Sequence, residues 1–334
     1  MKYNGPIDFV IPWVDGNDPD WRNERSKWCI ENEGDHREIR FRDWDNLQYW
    51  FRGVEKFAPW VNRIHFITYG HLPPWLNVDH PKINIVRHTD YIPKKYLPTF
   101  NSHVIELNIH RIEGLANCFV YFNDDTFIIS KMRQTDFFVN GLPCDAAIIR
   151  PYISEFKNSI AAIIANVMEV INTNFDKGDV IRNNFFKYFN LAYRRNMFYT
   201  LLSLPYRQFV GFSTPHLPNS FLKSTFNELW EKEYHILDST CKHKFRNKAD
   251  VNQYLMRYWQ LAKGCFSPRS LAIGKCFSLT NNNDICIEAI IKQKYHMICL
   301  NDNGKEEIKD FNEQKRKLKE AFETILGEKS KYEL

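Results

Sequence analysis

The chain has 334 residues, 44% of them hydrophobic and 25% charged, the balance of a globular protein able to bury a normal core in one large or two modest domains. A formal charge of +5 without any basic array excludes a duplex-binding face, so no nucleic-acid partner is expected. No apolar run reaches the roughly 18 residues that a membrane span needs, and the opening MKYNGPIDFVIPWVDG has too short an apolar stretch for a signal peptide. The expected location is therefore the cytoplasm, with peripheral contact at the inner membrane face as the one variation.

In chain order, IDFVIPWV (7–14) reads as a strand closed by the turn pair Asp15-Gly16. DNLQYWFRGVEKF (45–57) places Leu47, Trp50, Phe51, Val54 and Phe57 at helical spacing, and Ala58-Pro59 ends it. RIHFITYG (63–70) and INIVRH (83–88) read as strands. PTFNSHVIELNIHRIEG (98–114) reads as a helix capped by Asn101-Ser102 and stopped at Gly114, and CFVYF (118–122) as the next strand. This order predicts an α/β fold with a mostly parallel, Rossmann-like sheet over residues 1–150. Residues 151–265 read as a mainly helical region, including EFKNSIAAIIANVMEVI and the aromatic, basic stretch 182–207. That stretch is expected to form a packed amphipathic helix, with a membrane surface or an acceptor groove as the other uses. Two further helical patterns lie around SFLKSTFNELWEKEY and KADVNQYLMRYWQLAK. Residues 266–334 add strand signal and an amphipathic helix marked by Ile308, Phe311, Leu318, Phe322 and Ile325.

Eight cysteines include no C-x-x-C pair, and His296 with Cys299 supplies only two ligands, so reduced thiols without structural zinc are expected. Aromatics are plentiful at 15%; they fill cores more often than they stack on sugars.

Three apolar runs end in polar acids: Val14 into Asp15, Phe122 into Asn123-Asp124-Asp125, and Leu300 into Asn301-Asp302. Ligands of parallel sheets bind outside the carboxyl ends of the strands, so these acids point to one shared crevice. Vicinal carboxylates there suit Mg²⁺, or Mn²⁺ in its place, held against phosphate oxygens, although solvated loop acids would look the same. Asn101 and Ser102 open a helix, where free N–H groups favour a phosphate, and plain capping explains them equally. His216 stands between two prolines that could fix its direction, and Arg246 precedes a helical segment where it suits a bidentate phosphate grip.

The segments IDFVIPWVDGNDP, RDWDNLQYWFRGVEKFAPWVNRIHFIT, LPTFNSHVIELNIHRIEGLANCFVYFNDD, HLPNSF with FRNKADV, and CLNDN resemble the four conserved blocks of the Stealth family. The matched blocks cover a little over half the chain. The resemblance implies transfer of a sugar 1-phosphate from a UDP-sugar, a UDP-N-acetylhexosamine or UDP-hexose, to a hydroxyl of a glycan acceptor that is free or lipid-linked. The products are a phosphodiester and UMP, in capsule or cell-surface polysaccharide synthesis. It implies substrate-binding roles for Asp15, Gly16, Arg42, Asn101, Ser102, His110, Arg111 and Asn123. It further implies metal binding by Asp124, Asp125 and Asp302, and catalysis by His216, Arg246 and Asp125. His216 is then the base for the acceptor hydroxyl or a covalent nucleophile. The chain departs from the family pattern at Asn46, Gln48, Trp50 and Tyr69, which bears on the sugars rather than on the reaction. The rival readings are a metal-dependent glycosyltransferase that releases UDP and a silent glycan-binding protein.

Overall fold

The computed structural model describes residues 5–29, 42–153, 160–302 and 307–334. In chain order its strands begin with β1 (Ile7–Pro12), β2 (Ile64–Thr68), β3 (Ile83–Arg87), β4 (Cys118–Tyr121) and β5 (Thr126–Ile128). There follow β6 (Phe138–Val139), β7 (Leu142–Asp145), β8 (Asn219–Leu222), β9 (Ser267–Pro268), β10 (Gly274–Ser278) and β11 (Met297–Asn301). The main sheet has the order β3-β2-β1-β4-β8. Its first four strands are parallel and β8 is antiparallel to β4. The α/β expectation holds, and the segment expected to be mainly helical supplies the sheet's edge strand.

Strands β1, β2 and β4 are continuous apolar runs because both faces of the sheet are covered. On one face Phe9, Ile11, Phe66 and Val120 pack against Trp50, Phe51 and Val54 of helix Leu47–Phe57 and Phe322 of helix Phe311–Leu326. On the other, Val10, Ile67, Phe119 and Tyr121 meet Phe226 and Leu229 of helix Lys223–Lys232, Trp259 of helix Tyr254–Ala262 and Ile171 of helix Ala161–Asn174. The one acid inside β1, Asp8, is fully buried. Burial alone would raise its carboxyl, but hydrogen bonds from His65, Asn62 and the Ala116 N–H outweigh it and hold the group below the usual range.

A second sheet, β10-β11-β5, joins the first through the short link between β4 and β5. Gly53 of helix Leu47–Phe57 permits its close approach: a Cβ there would lie 2.5 Å from the Ile128 carbonyl oxygen. The C-terminal helix is capped by Asp310, which accepts from the Glu313 N–H, and it buries Leu318, Phe322 and Ile325. Ile308 is also buried but lies ahead of the helix.

Two helical expectations change. The pattern at 98–114 forms only Ser102–Leu107 and a turn Ile109–Arg111, because the Asn108 side chain donates to the Val104 carbonyl and breaks the run. The stretch 182–207 is not one helix but a series of short pieces, among them Phe185–Tyr188 and Met197–Ser203. Part of the helical pattern that starts at residue 155 falls outside the described residues, as does Asn303 of CLNDN.

Candidate active site

The polar cluster Asn123-Asp124-Asp125 is the crossing between two sheets. β4 ends as the Phe122 N–H donates to the Val10 carbonyl, and the chain then turns into β5. Thr126 closes that turn: its N–H and hydroxyl both donate to the Asn123 carbonyl, at 3.1 and 2.7 Å. β11 runs antiparallel to β5, with Cys299 opposite Thr126, so its carboxyl end also arrives at Asp125, whose carbonyl accepts from the Leu300 N–H. Two of the three acid-tipped runs therefore meet here by strand pairing, and β1 ends on the same edge of the sheet beside β4.

Asp125 Oδ2 lies 3.4 Å from Cys299 Sγ and 3.6 Å from His216 Nε2. Its Oδ1 is buried and has no hydrogen-bond partner. Asp124 is exposed at the turn between β4 and β5. The surrounding protein and then the Asp125 charge push its carboxyl up to about 7, while Arg246 pulls the other way and Asp43 adds to the rise. Asp125, His216 and Cys299 offer ligand atoms within 4.8 Å of one another, the one such group among the described residues.

His216 reaches this point through a rigid connection. Buried Arg257 donates to both oxygens of Asp145 at 2.7 and 2.8 Å and to the Ser213 carbonyl at 2.9 Å. The Thr214 hydroxyl bonds to Tyr258, Leu217 is buried, and prolines flank the histidine. His216 itself has φ of 46°, a left-handed conformation that a non-glycine residue adopts at a cost of about 1–3 kcal/mol and that clusters at functional sites. Its Nε2 is 3.0 Å from the Asn123 amide nitrogen. With the amide so oriented, Nε2 accepts that hydrogen bond and carries the lone pair.

Arg246 donates through Nε and Nη2 to the Ser102 hydroxyl, at 3.1 and 2.7 Å. Among the described residues it forms no ion pair, so its charge is left for an anion in the crevice. Its loop is tied down by Asp250, which accepts from His103, His243, Asn101 and the Asn247 N–H. Burial would raise the Asp250 carboxyl, but these bonds together hold it low. On the facing wall Asp302 accepts from Trp44 Nε1 at 3.0 Å and lies 3.6 Å from Arg42, joining the start of the second block to the fourth.

Some expected ligand residues have other work. Asn101 is fully buried, caps the His103 N–H and donates to Asp250 and to the Phe245 carbonyl, so it builds the Arg246 loop and cannot touch a substrate. His110 packs on Phe226 and Trp230, near Lys223, and Arg111 lies over the Trp230 ring. Lys223 follows β8 and bonds to Asn117 ahead of β4, so His110 and Arg111 sit at the opposite end of the sheet from the acids. That corrects their assignment as binding residues. Gly16 is buried, and its carbonyl accepts from Arg22; Asp15 caps the Asn17 N–H while its own N–H donates to His71. Asp302 is already partnered by a cation and stands apart from the three-residue ligand group. In the sequence Cys299 figures only with His296, as too few ligands for zinc, and not as part of this site. Its other signal is its place two residues before Asn301-Asp302 on an apolar strand. Cys276 lies directly across from it on β10, and burial, with Cys276 and Asp125 beside it, raises the Cys299 thiol well above the usual range.

Comparison with known proteins is decisive at this point. Residues 5–28 match the Stealth protein conserved region 1 and residues 40–144 match conserved region 2. A capsular polysaccharide phosphotransferase, WcwK of Streptococcus pneumoniae, is 45% identical over 100% of this chain and 99% of its own length. The chain belongs to the Stealth family. Other relatives of this family are the receptor polysaccharide phosphotransferase WefC of Streptococcus oralis, 36% identical over 98% of this chain and 99% of its own. The exopolysaccharide phosphotransferase cps2G of Lactiplantibacillus plantarum is 36% identical over 100% and 98%. The two Stealth regions carry β1, β4, β5 and the acids Asp124 and Asp125, whereas His216, Arg246, Cys299 and Asp302 lie beyond both matched segments.

Proposed function

We propose that the protein moves a sugar 1-phosphate from a UDP-sugar to a hydroxyl of a glycan acceptor, forming a phosphodiester and releasing UMP. It is an enzyme that transfers phosphate-containing groups, a polysaccharide phosphotransferase of capsule synthesis like the relatives it matches end to end. The observation that carries the finer reading is the meeting of three groups in one crevice. These are an adjacent carboxylate pair, an imidazole whose Nε2 lone pair accepts from the Asn123 amide, and a guanidinium that forms no ion pair with described residues.

The acids fit a divalent cation. Asp125 Oδ1 is buried without a partner, and the surrounding protein and then the Asp125 charge lift the Asp124 carboxyl, two costs that a cation offsets. Asp124 and Asp125 would hold it, and when bound it would neutralise charge on the departing uridine phosphate. His216 Nε2 takes the proton from the acceptor hydroxyl once that hydroxyl displaces the Asn123 amide from its lone pair. The acceptor oxygen forms its bond to the sugar-bearing phosphorus as the bond from that phosphorus to the UMP oxygen breaks. Arg246, fixed by Ser102, faces the charge that gathers on the transferring group. Asn123 keeps the imidazole in the tautomer that can accept the proton.

The released nucleotide tests the reading. With Mg²⁺, a panel of UDP-sugars and a short glycan acceptor, the expected product is acceptor-dependent UMP. Acceptor-dependent UDP would mean that the sugar moves alone and that the chain is a glycosyltransferase.

A further inference from the structure

Residues 180–227 contain no Asp or Glu, while Arg182, Lys187, Arg194, Arg195, Arg207 and Lys223 are all basic. The same segment is turned inside out. Helix Met197–Ser203 buries its polar residues Thr200 and Ser203 and exposes Phe198, Tyr199, Leu201 and Leu202. The Thr200 hydroxyl accepts from the Ile149 N–H, and the Ser203 carbonyl accepts from Lys177, so polar contacts fix the inner side. Nearby, Tyr188 and Tyr193 point inward, with the Tyr188 hydroxyl bonded to the Leu261 carbonyl, while Phe186 is 81% exposed and Leu191 87%. Leu202 is 71% exposed and Phe198 64%. An apolar surface of this kind is rare on a protein that meets only water.

The charges around it specify what it meets. Lys187 is turned inward to the Gly264 carbonyl, and Arg182 is paired with Asp179. Arg194, Arg195 and Arg207 are exposed and make no ion pair with described residues. Leu204, Tyr206, Arg182 and Arg207 also line a groove of about 430 Å³ beside the patch. Exposed aromatic and aliphatic side chains beside the unpaired Arg194, Arg195 and Arg207, with Asp176 and Asp179 only at the groove's edge, match the boundary of an anionic bilayer. No described helix is long and apolar enough to cross a membrane.

We infer that residues 182–207 form a docking face for an anionic membrane surface, with Phe186, Leu191, Phe198 and Leu202 entering the headgroup layer and Arg194, Arg195 and Arg207 facing lipid phosphates. His216 lies nine steps along the chain from Arg207, a span of at most about 32 Å. Docking thus holds the crevice near the bilayer, where a lipid-linked glycan would present its hydroxyl. This last consequence rests on the proposed reaction, whereas docking does not.

Flotation of the whole protein with vesicles separates the two. Binding is expected to phosphatidylglycerol-containing vesicles and not to phosphatidylcholine alone. The triple variant Phe186→Ser, Leu191→Ser, Leu202→Ser is expected to lose it with an unchanged thermal unfolding midpoint, since all three side chains lie outside the core. Arg194→Gln with Arg195→Gln should weaken binding roughly tenfold or more, and added salt should do the same. Wild-type protein that stays unbound, or a triple variant that floats as well as wild type, would overturn the inference. A stable dimer that the triple variant dissolves, without vesicle binding, would overturn it in favour of a second copy of this chain.

Discussion

At the residue scale, His216 combines a strained backbone with the only imidazole beside Asp125 among the described residues. The strain and the chemistry can be separated by substitution. His216→Ala is expected to lower kcat by about 10²- to 10⁴-fold, the usual contribution of a positioned base. It should leave the unfolding midpoint in urea little changed, because alanine keeps the left-handed strain and loses only one part-buried hydrogen bond. His216→Gly should be just as inactive yet more stable than His216→Ala by about 1 kcal/mol, because glycine adopts positive φ freely. A His216→Ala enzyme at wild-type rate would remove the base assignment. Equal stability of the two variants would mean that the backbone there is not held as described. The nearby acids obey the same logic: Asp125 tolerates an orphaned oxygen in a fold that otherwise satisfies its buried carboxylates, as at Asp8 and Asp250.

At the scale of elements, helix Leu47–Phe57 and β5 touch at Gly53, and β5 begins one residue after Asp125. Gly53→Ala gains helix propensity of about 1 kcal/mol, but its Cβ would press on a backbone oxygen that has no rotamer to yield. Overpacking wins, so a net loss of about 1–2 kcal/mol in urea denaturation is expected, with a fall in activity as Asp125 shifts. A stabilised, fully active Gly53→Ala protein would contradict this packing. The sequence made helix Leu47–Phe57 legible because its apolar residues repeat at 3.6 and a proline ends it, and β1, β2 and β4 were legible as dense apolar runs. β5 was not, since three residues after two acids carry no period. The break at Asn108 depends on a side chain turning back on its own helix, which spacing does not reveal. The stretch 182–207 misled for a different reason: its apolar residues do have helical spacing, but the side they mark faces outward. In the site, the acids stood out because they interrupt an apolar run, and His216 because of its prolines. Asn101 and His110 share the same polar character, and only tertiary packing shows them to be interior. Cys299 stood out only beside His296, as a ligand pair too small for zinc, until strand pairing placed it against Asp125.

For the whole molecule, folding holds two histidines neutral in the core, and that sets a dependence on acid. Burial pushes His88 down to about 4, with His71 adding to the effect, and pushes His110 down to about 3, helped by the charges of Arg111 and Lys223. In the unfolded chain both return to about 6.5. The unfolded state therefore binds more protons below that value, so stability is fully present above about 6.5 and declines as the pH drops toward 4 and 3. At pH 5 each histidine costs on the order of 2 kcal/mol. Asp124 acts in the opposite sense, because its raised carboxyl takes up a proton on folding below about 7, so the total slope mixes the two. A difference measurement isolates the histidine. His110→Phe keeps a ring against Phe226 and Trp230 and removes the proton acceptor. Urea midpoints at pH 7.5 and pH 5 should show the variant losing less stability on acidification than wild type, by on the order of 2 kcal/mol. Buried Asp8 and Asp250, whose carboxyls are held low, would add their own losses only below about 4, outside this window. Equal acid losses in the two proteins would mean that His110 meets water in the folded state and that the sheet's far end is open rather than packed.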